Sequence, residues 1–255
     1  MVIFRILEDK RLKPIFYFLL VFLLWSRLWA LHEKPYHHDE GIYATLSFRY
    51  FQNFGYQFSP VTHGPFLYTF QSLLFRIMPI NNFSGRLPVA LAGIILPFAA
   101  LGFFRKATSY RAISWIALCV FSPTLCYFSR FLGMDALLIT LSVMVATLGL
   151  QWWKTERSIY IYSMAFFFAM MLCTKLNWLF YVFSFATFLI VSGDSKAVAK
   201  RLKEHWQDTL GFFMIVVYFF GLLYSTLGKH MSGIWDGLFG KMIPYWINQN
   251  KLQRI

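Results

Sequence analysis

Seven stretches of this chain, 15 to 18 residues long, hold a single charged side chain between them, Arg27. They are 14–31, 87–104, 112–128, 136–153, 159–174, 178–192 and 210–227. A helix that crosses a bilayer needs about 20 mostly apolar residues, with a range of roughly 17–25. Inside lipid its backbone must satisfy its own hydrogen bonds, so each stretch reads as a helix. The expected fold is all-α: a polytopic transmembrane bundle of about seven spans in a single transmembrane domain, 1–255.

Composition agrees where it can decide. Charged residues make up 14% of the chain, against about 25% in a soluble domain. Phe alone occurs 30 times, more aromatic surface than a water-soluble core of this size buries. The net charge of +13 does not indicate nucleic acid, because the basic residues form neither one block nor one face. They stand instead in short clusters between apolar runs: Arg5, Lys10, Arg11 and Lys13; Arg105, Lys106 and Arg111; Lys154 and Arg157; Lys196, Lys200, Arg201 and Lys203. By the positive-inside rule these face the cytoplasm, with the N-terminus. The first apolar run is too long for a signal h-region and reads as an uncleaved span. The expected location is the cell membrane, multi-pass, with 32–86 and the tail 228–255 outside. Cys119, Cys126 and Cys173 all sit in apolar runs and read as free thiols.

The outer loop 32–86 is too long to be a mere connection. Its segments 41–54 and 64–80 mix apolar, aromatic and polar positions and read as helices lying at the membrane surface. The sequon Asn82-Phe83-Ser84 carries little meaning alone.

Chemistry-bearing residues gather on that outer side. Six of the eleven acidic residues fall beside Lys or Arg in the cytoplasmic segments; Glu33, Asp39, Glu40, Asp135 and Asp236 do not, and neither do His32, His37, His38, His63 and His230. The densest spot is His37-His38-Asp39-Glu40. It reads either as charges facing water or as a carboxylate pair serving as general base or binding a divalent cation such as Mg or Mn. Neighbours on a helix point about 100° apart, so Asp39 and Glu40 need not share a role. Arg130 and Asp135 bracket a tight outer turn. They make either a local ion pair with helix capping or an anion ligand and a second cavity-facing carboxylate. Lys175 either snorkels to the interface or meets a lipid phosphate, as does Arg27. His63, in the turn His63-Gly64-Pro65, either reaches the carboxylates or caps the turn.

The elements His37-His38-Asp39-Glu40-Gly41-Ile42-Tyr43-Ala44, Thr62-His63-Gly64-Pro65-Phe66-Leu67-Tyr68, Tyr127-Phe128-Ser129-Arg130-Phe131 with Asp135, and Thr174-Lys175 resemble the polytopic glycosyltransferases of the GT-C class. Within that class they are similar to the dolichyl-phosphate-mannose-protein mannosyltransferases and to the flippase-associated, mannosyltransferase-like membrane proteins, over roughly residues 10–255. The resemblance implies transfer of a sugar from a polyprenyl-phosphate donor to a protein, lipid or glycan acceptor at the outer face, with inversion. It implies Asp39, Glu40 and Asp135 as catalytic residues, and Arg130, Lys175, His63 and His38 as ligands of the substrate or its phosphate. Asp39, Asp135 and His37 are the implied metal ligands, since some relatives use a divalent cation. Members of that family have more spans, so the end of this chain implies a fragment or truncated product, completed by a partner subunit or a C-terminal half. The competing expectation is a lipid or solute transporter, or a flippase-associated accessory protein without catalysis. Transporters place ionisable groups near the midplane, whereas here they gather at one face.

Overall fold

The computed structural model describes residues 2–248 except 55, 57, 105–107, 242 and 246. Arg105, Lys106, Trp246 and the final part of the expected outer tail lie outside the described residues. Among the described residues the chain is helical and has no strand; the nearest approach to one is an isolated bridge between Ser59 and His63.

The order is α1 (Val2–Glu8), α2 (Leu12–Leu28), α3 (His38–Phe51), α4 (Phe66–Leu74), α5 (Asn82–Ala99, continued as a 3-10 turn to Phe104), α6 (Ser109–Phe121), α7 (Pro123–Phe128), α8 (Asp135–Thr155), α9 (Ser158–Leu172), α10 (Trp178–Val191), α11 (Ser195–Glu204), α12 (Trp206–Tyr224) and α13 (Ser232–Trp235). A helix stands at each of the seven apolar stretches. Among the described residues three, Asn82–Phe104, Asp135–Thr155 and Trp206–Tyr224, are long and apolar enough to cross a membrane by length and composition, or four if α10 and α11 count as one bent span. The expected count of seven is therefore not reproduced, and the reasons are local. α9 has 15 residues and α10 has 14, about 21–23 Å at 1.5 Å per residue. The stretch 112–128 is broken at Ser122, because Pro123 lacks the N–H that would continue α6. α2 stops after 17 residues. The segments 41–54 and 64–80 are helical over much of their length, as α3 and α4, which pack on each other.

Two cores organise the bundle. One joins α3, α4, α5, α8, α9 and α12 around Tyr68, Leu132, Leu138, Ala169 and Tyr224. The other joins α1, α2 and α6 to the far end of α5 through Ile6, Leu23, Leu101 and Ile116. The connections meet at two opposite ends. At one, Gln151 donates to the Gly102 carbonyl (3.0 Å), and Arg201 pairs with Glu156 (3.2 Å) and lies over the Trp153 ring. At the other, the loop before α4, the 129–134 turn, the 173–177 turn and the end of α12 converge. There Gly64 N–H donates to the Thr174 carbonyl (2.7 Å), and Thr226 Oγ1 is 3.2 Å from Tyr56 N. That second end carries the candidate site.

Candidate functional site

The first turn of α3 sends Asp39 and Glu40 to different places. His37 caps the helix: its Nδ1 accepts from Asp39 N–H (3.4 Å), and its own N–H donates to Glu40 Oε2 (2.9 Å), a reciprocal capping box. Glu40 then turns inward. Its carboxylate accepts from Arg86 Nε and Nη2, both at 2.8 Å, and from Leu132 N–H at 2.8 Å. The pair is buried, with 5% of the Arg86 side chain and 4% of Glu40 exposed. Burial alone raises the Glu40 carboxyl, but the hydrogen bonds from Arg86, Leu132 and His37 outweigh it and leave it below the ordinary value. With those lone pairs used, Glu40 ties α3, α5 and the 129–134 turn together. It acts on the site through the backbone it holds.

Asp39 points outward, with 61% of its side chain exposed. One helical turn on, half-buried Tyr43 shares its stripe. Burial raises the Tyr43 phenol above its ordinary value, and the charges of Asp135 and Asp39, in that order, raise it further. The Tyr43 ring packs on Tyr68 (6.2 Å between centroids).

Asp135 opens α8, where the helix dipole favours a negative charge. It binds Lys175 Nζ at 2.7 Å, with 38% of Asp135 and 21% of Lys175 exposed. The alternative Arg130–Asp135 ion pair does not form. Arg130 Nη1 donates instead to the Ser26 carbonyl (2.9 Å), which the end of α2 leaves without a helical donor. Arg27 is wholly buried and donates to the Cys119 carbonyl (3.0 Å), orphaned by Pro123. Arg86 likewise serves the carbonyls of Leu31 and Lys34 (both 2.9 Å) and Pro35 (3.1 Å). These three arginines thus cap broken or ended backbone, whereas Lys175 is set beside an accessible carboxylate.

His63 comes to the same place from the loop before α4. Its backbone is left-handed (φ 64). Burial and then the charge of Lys175 lower its pKa to about 4, against the opposing pull of Asp135 and a backbone hydrogen bond at Pro60. At neutral pH it adds no charge for a phosphate. His37 and His38 line a separate groove on the neighbouring face of α3, about 470 Å³, with Gly41, Ile42 and Arg49. No hydrogen bond or ion pair links either histidine to Asp135 or Lys175. Among the described residues no group of three or more His, Cys, Asp or Glu side chains is placed to hold a metal ion. Asp39, Asp135 and His37 are accordingly not gathered into one cluster in this structure, and Asp135 has Lys175 as its counter-ion.

Tyr43 and Arg86 were not singled out from sequence. Tyr43 was within reach, one turn after Asp39 on a helix. Nothing in the sequence pairs Arg86 with a glutamate 46 positions earlier.

A helical membrane protein with a carboxylate–lysine site at one end of its bundle is the class these features define. Residues 62–224 match the family described as dolichyl-phosphate-mannose-protein mannosyltransferase, and the chain belongs to that family. Membership makes it a membrane glycosyltransferase of the mannosyltransferase type in general. The match includes His63, Arg130, Asp135 and Lys175 and begins after Asp39 and Glu40. No curated protein and no solved structure matches the chain.

Proposed function

We propose that this protein moves a sugar from a polyprenyl-phosphate donor to an acceptor hydroxyl or amine at the outer membrane face. The observation that carries the reading is that Glu40, by accepting from Leu132 N–H (2.8 Å), fastens the helix turn bearing the solvent-facing carboxylate Asp39 to the turn that leads into Asp135 and its partner Lys175.

The acceptor heteroatom attacks the anomeric carbon and forms the new glycosidic bond. The bond from that carbon to the phosphate oxygen breaks on the opposite side, giving inversion, and the phosphate leaves with the electron pair. Asp39, open to solvent with the His37 imidazole 3.9 Å away, takes the acceptor proton. Lys175 offsets the charge on the departing phosphate. Asp135 orients Lys175 and borders the sugar. Arg130, whose Nη1 is spent on Ser26, contributes its remaining charge to the phosphate side. Glu40 and Arg86 hold Asp39 in place. No step is routed through a metal.

The basic clusters support the outer placement. Lys154, Arg157, Lys196, Lys200 and Lys203 belong to the end of the bundle opposite the site, and the positive-inside rule puts that end in the cytoplasm.

The test is transfer by protein reconstituted in vesicles with polyprenyl-phosphate sugars. Asp39→Asn loses at least about 100-fold in turnover, the lower end of what a positioned base contributes, while insertion and melting temperature hold. Undiminished transfer by Asp39→Asn removes Asp39 as the base.

A further inference from the structure

His63 is held at the site under conformational restraint, with one of its two ring nitrogens left without a hydrogen-bond partner. A positive φ is uncommon outside glycine, yet His63 has φ 64. The turn that imposes it is fastened to the segment carrying Lys175: Gly64 N–H donates to the Thr174 carbonyl at 2.7 Å and Phe66 N–H to the Cys173 carbonyl at 2.8 Å. Tyr56 and Tyr68 donate their hydroxyls to the carbonyls of His63 and Thr62. Gly64 is required for this approach, because a Cβ there would lie 2.2 Å from the Cys173 carbonyl oxygen. The imidazole is thereby fixed relative to Lys175 and Asp135. Its Nδ1 is shielded from solvent and has no hydrogen-bond partner, a condition that buried polar groups rarely tolerate.

We propose that His63 is a specificity-determining residue, whose imidazole binds one hydroxyl of the sugar carried past the Asp135–Lys175 pair. The proposal rests on the glycosyltransferase reading above and deepens it. Burial and the adjacent Lys175 keep the ring uncharged at neutral pH. An uncharged imidazole has one donor and one acceptor nitrogen, which suits a hydroxyl, whereas the phosphate already has Lys175. A site that hydrogen-bonds a hydroxyl discriminates strongly against a substrate lacking it, because its own polar group is then left buried and unpaired.

The experiment compares wild type, His63→Gly and His63→Asn in vesicles, each with a polyprenyl-phosphate hexose that wild type uses and with its monodeoxy analogues. Both replacements accept a left-handed backbone, and thermal melting confirms that they fold. In wild type one deoxy position loses roughly 5- to 150-fold in kcat/KM, the range for an unsatisfied buried group. In His63→Gly that penalty disappears at the same position while penalties at other positions stay, and His63→Asn keeps part of it. Penalties unchanged at every position in His63→Gly overturn the proposal and leave His63 a turn residue or a ligand of buried water. Folded wild type that transfers no sugar from any polyprenyl-phosphate donor overturns the glycosyltransferase reading itself, and that failure shows without any variant.

Discussion

Two ion pairs stand near each other in this molecule and are built to opposite ends. Glu40–Arg86 is closed. Both side chains are almost fully buried, and each oxygen and nitrogen has a protein partner, including Leu132 N–H and the carbonyls of Leu31, Lys34 and Pro35. Asp135–Lys175 is open. It is a single contact of 2.7 Å with more than a third of the aspartate exposed. The closed pair joins three chain segments and has nothing left to offer a substrate. The open pair holds little together and keeps its unused donors and acceptors at the surface of the bundle. The lesson is that charge in an apolar protein divides between fastening and chemistry according to how many partners the fold supplies.

The comparison can be broken where the effect is largest. Arg86→Ala leaves Glu40 buried and unpaired, and the expected loss is about 3–5 kcal/mol, read as a large fall in melting temperature or loss of folded protein in detergent. The double variant Glu40→Leu/Arg86→Leu recovers much of that loss. An Arg86→Ala protein that melts like wild type would show that the pair fastens nothing.

Next in size is an acid limb from His63. Its folded pKa, about 4, lies below the ordinary 6.5. The unfolded chain therefore binds the proton first. The stability is complete above about 6.5 and is lost as pH falls toward about 4, by on the order of 3 kcal/mol at most. Melting temperature against pH measures it, and His63→Asn flattens this part of the curve. An unchanged curve in His63→Asn would mean that the imidazole is as well solvated folded as unfolded.

Gly64→Ala sets a methyl against the Cys173 carbonyl and is expected to destabilise by about 1–3 kcal/mol, as overpacking does. It should also weaken transfer by shifting His63 away from Lys175, so a variant that melts and turns over normally would detach that turn from the site.

The smallest stability effect belongs to the open pair. Asp135→Asn changes stability by no more than about 1 kcal/mol, as for exposed ion pairs, yet lowers transfer at least about 100-fold. A large loss of stability with turnover intact would make Asp135–Lys175 a fastening pair as well and would erase the contrast with Glu40–Arg86.

Much of this was legible in the amino-acid order, and the misses are instructive. The seven apolar stretches located seven helical regions, and the aromatic segments of the loop located α3 and α4. The span count was not confirmed, because hydropathy registers apolar length but not where a helix stops; Pro123 and the short α9 and α10 lie inside unbroken apolar runs. The position of Asp39, Asp135, Lys175 and His63 in the loops expected to lie outside singled them out as candidates. Their partners were not legible: Arg130 could as well have met Asp135 five positions away, and Ser26, 104 positions away, was decided by the carbonyl that α2 leaves open.

Sequence by itself determined that the chain is helical, membrane-embedded and polar at one set of loops, because those properties depend on local run length and on charge. Tertiary structure alone decided which of the adjacent acids Asp39 and Glu40 is buried, and that His37–Glu40 is a helix cap as well as a charge cluster. Such choices depend on which distant backbone groups lack a partner, and that is known only when the helices are packed. At His37–Glu40 the packed helices turn Glu40 inward to Arg86 and Leu132 and leave Asp39 in solvent.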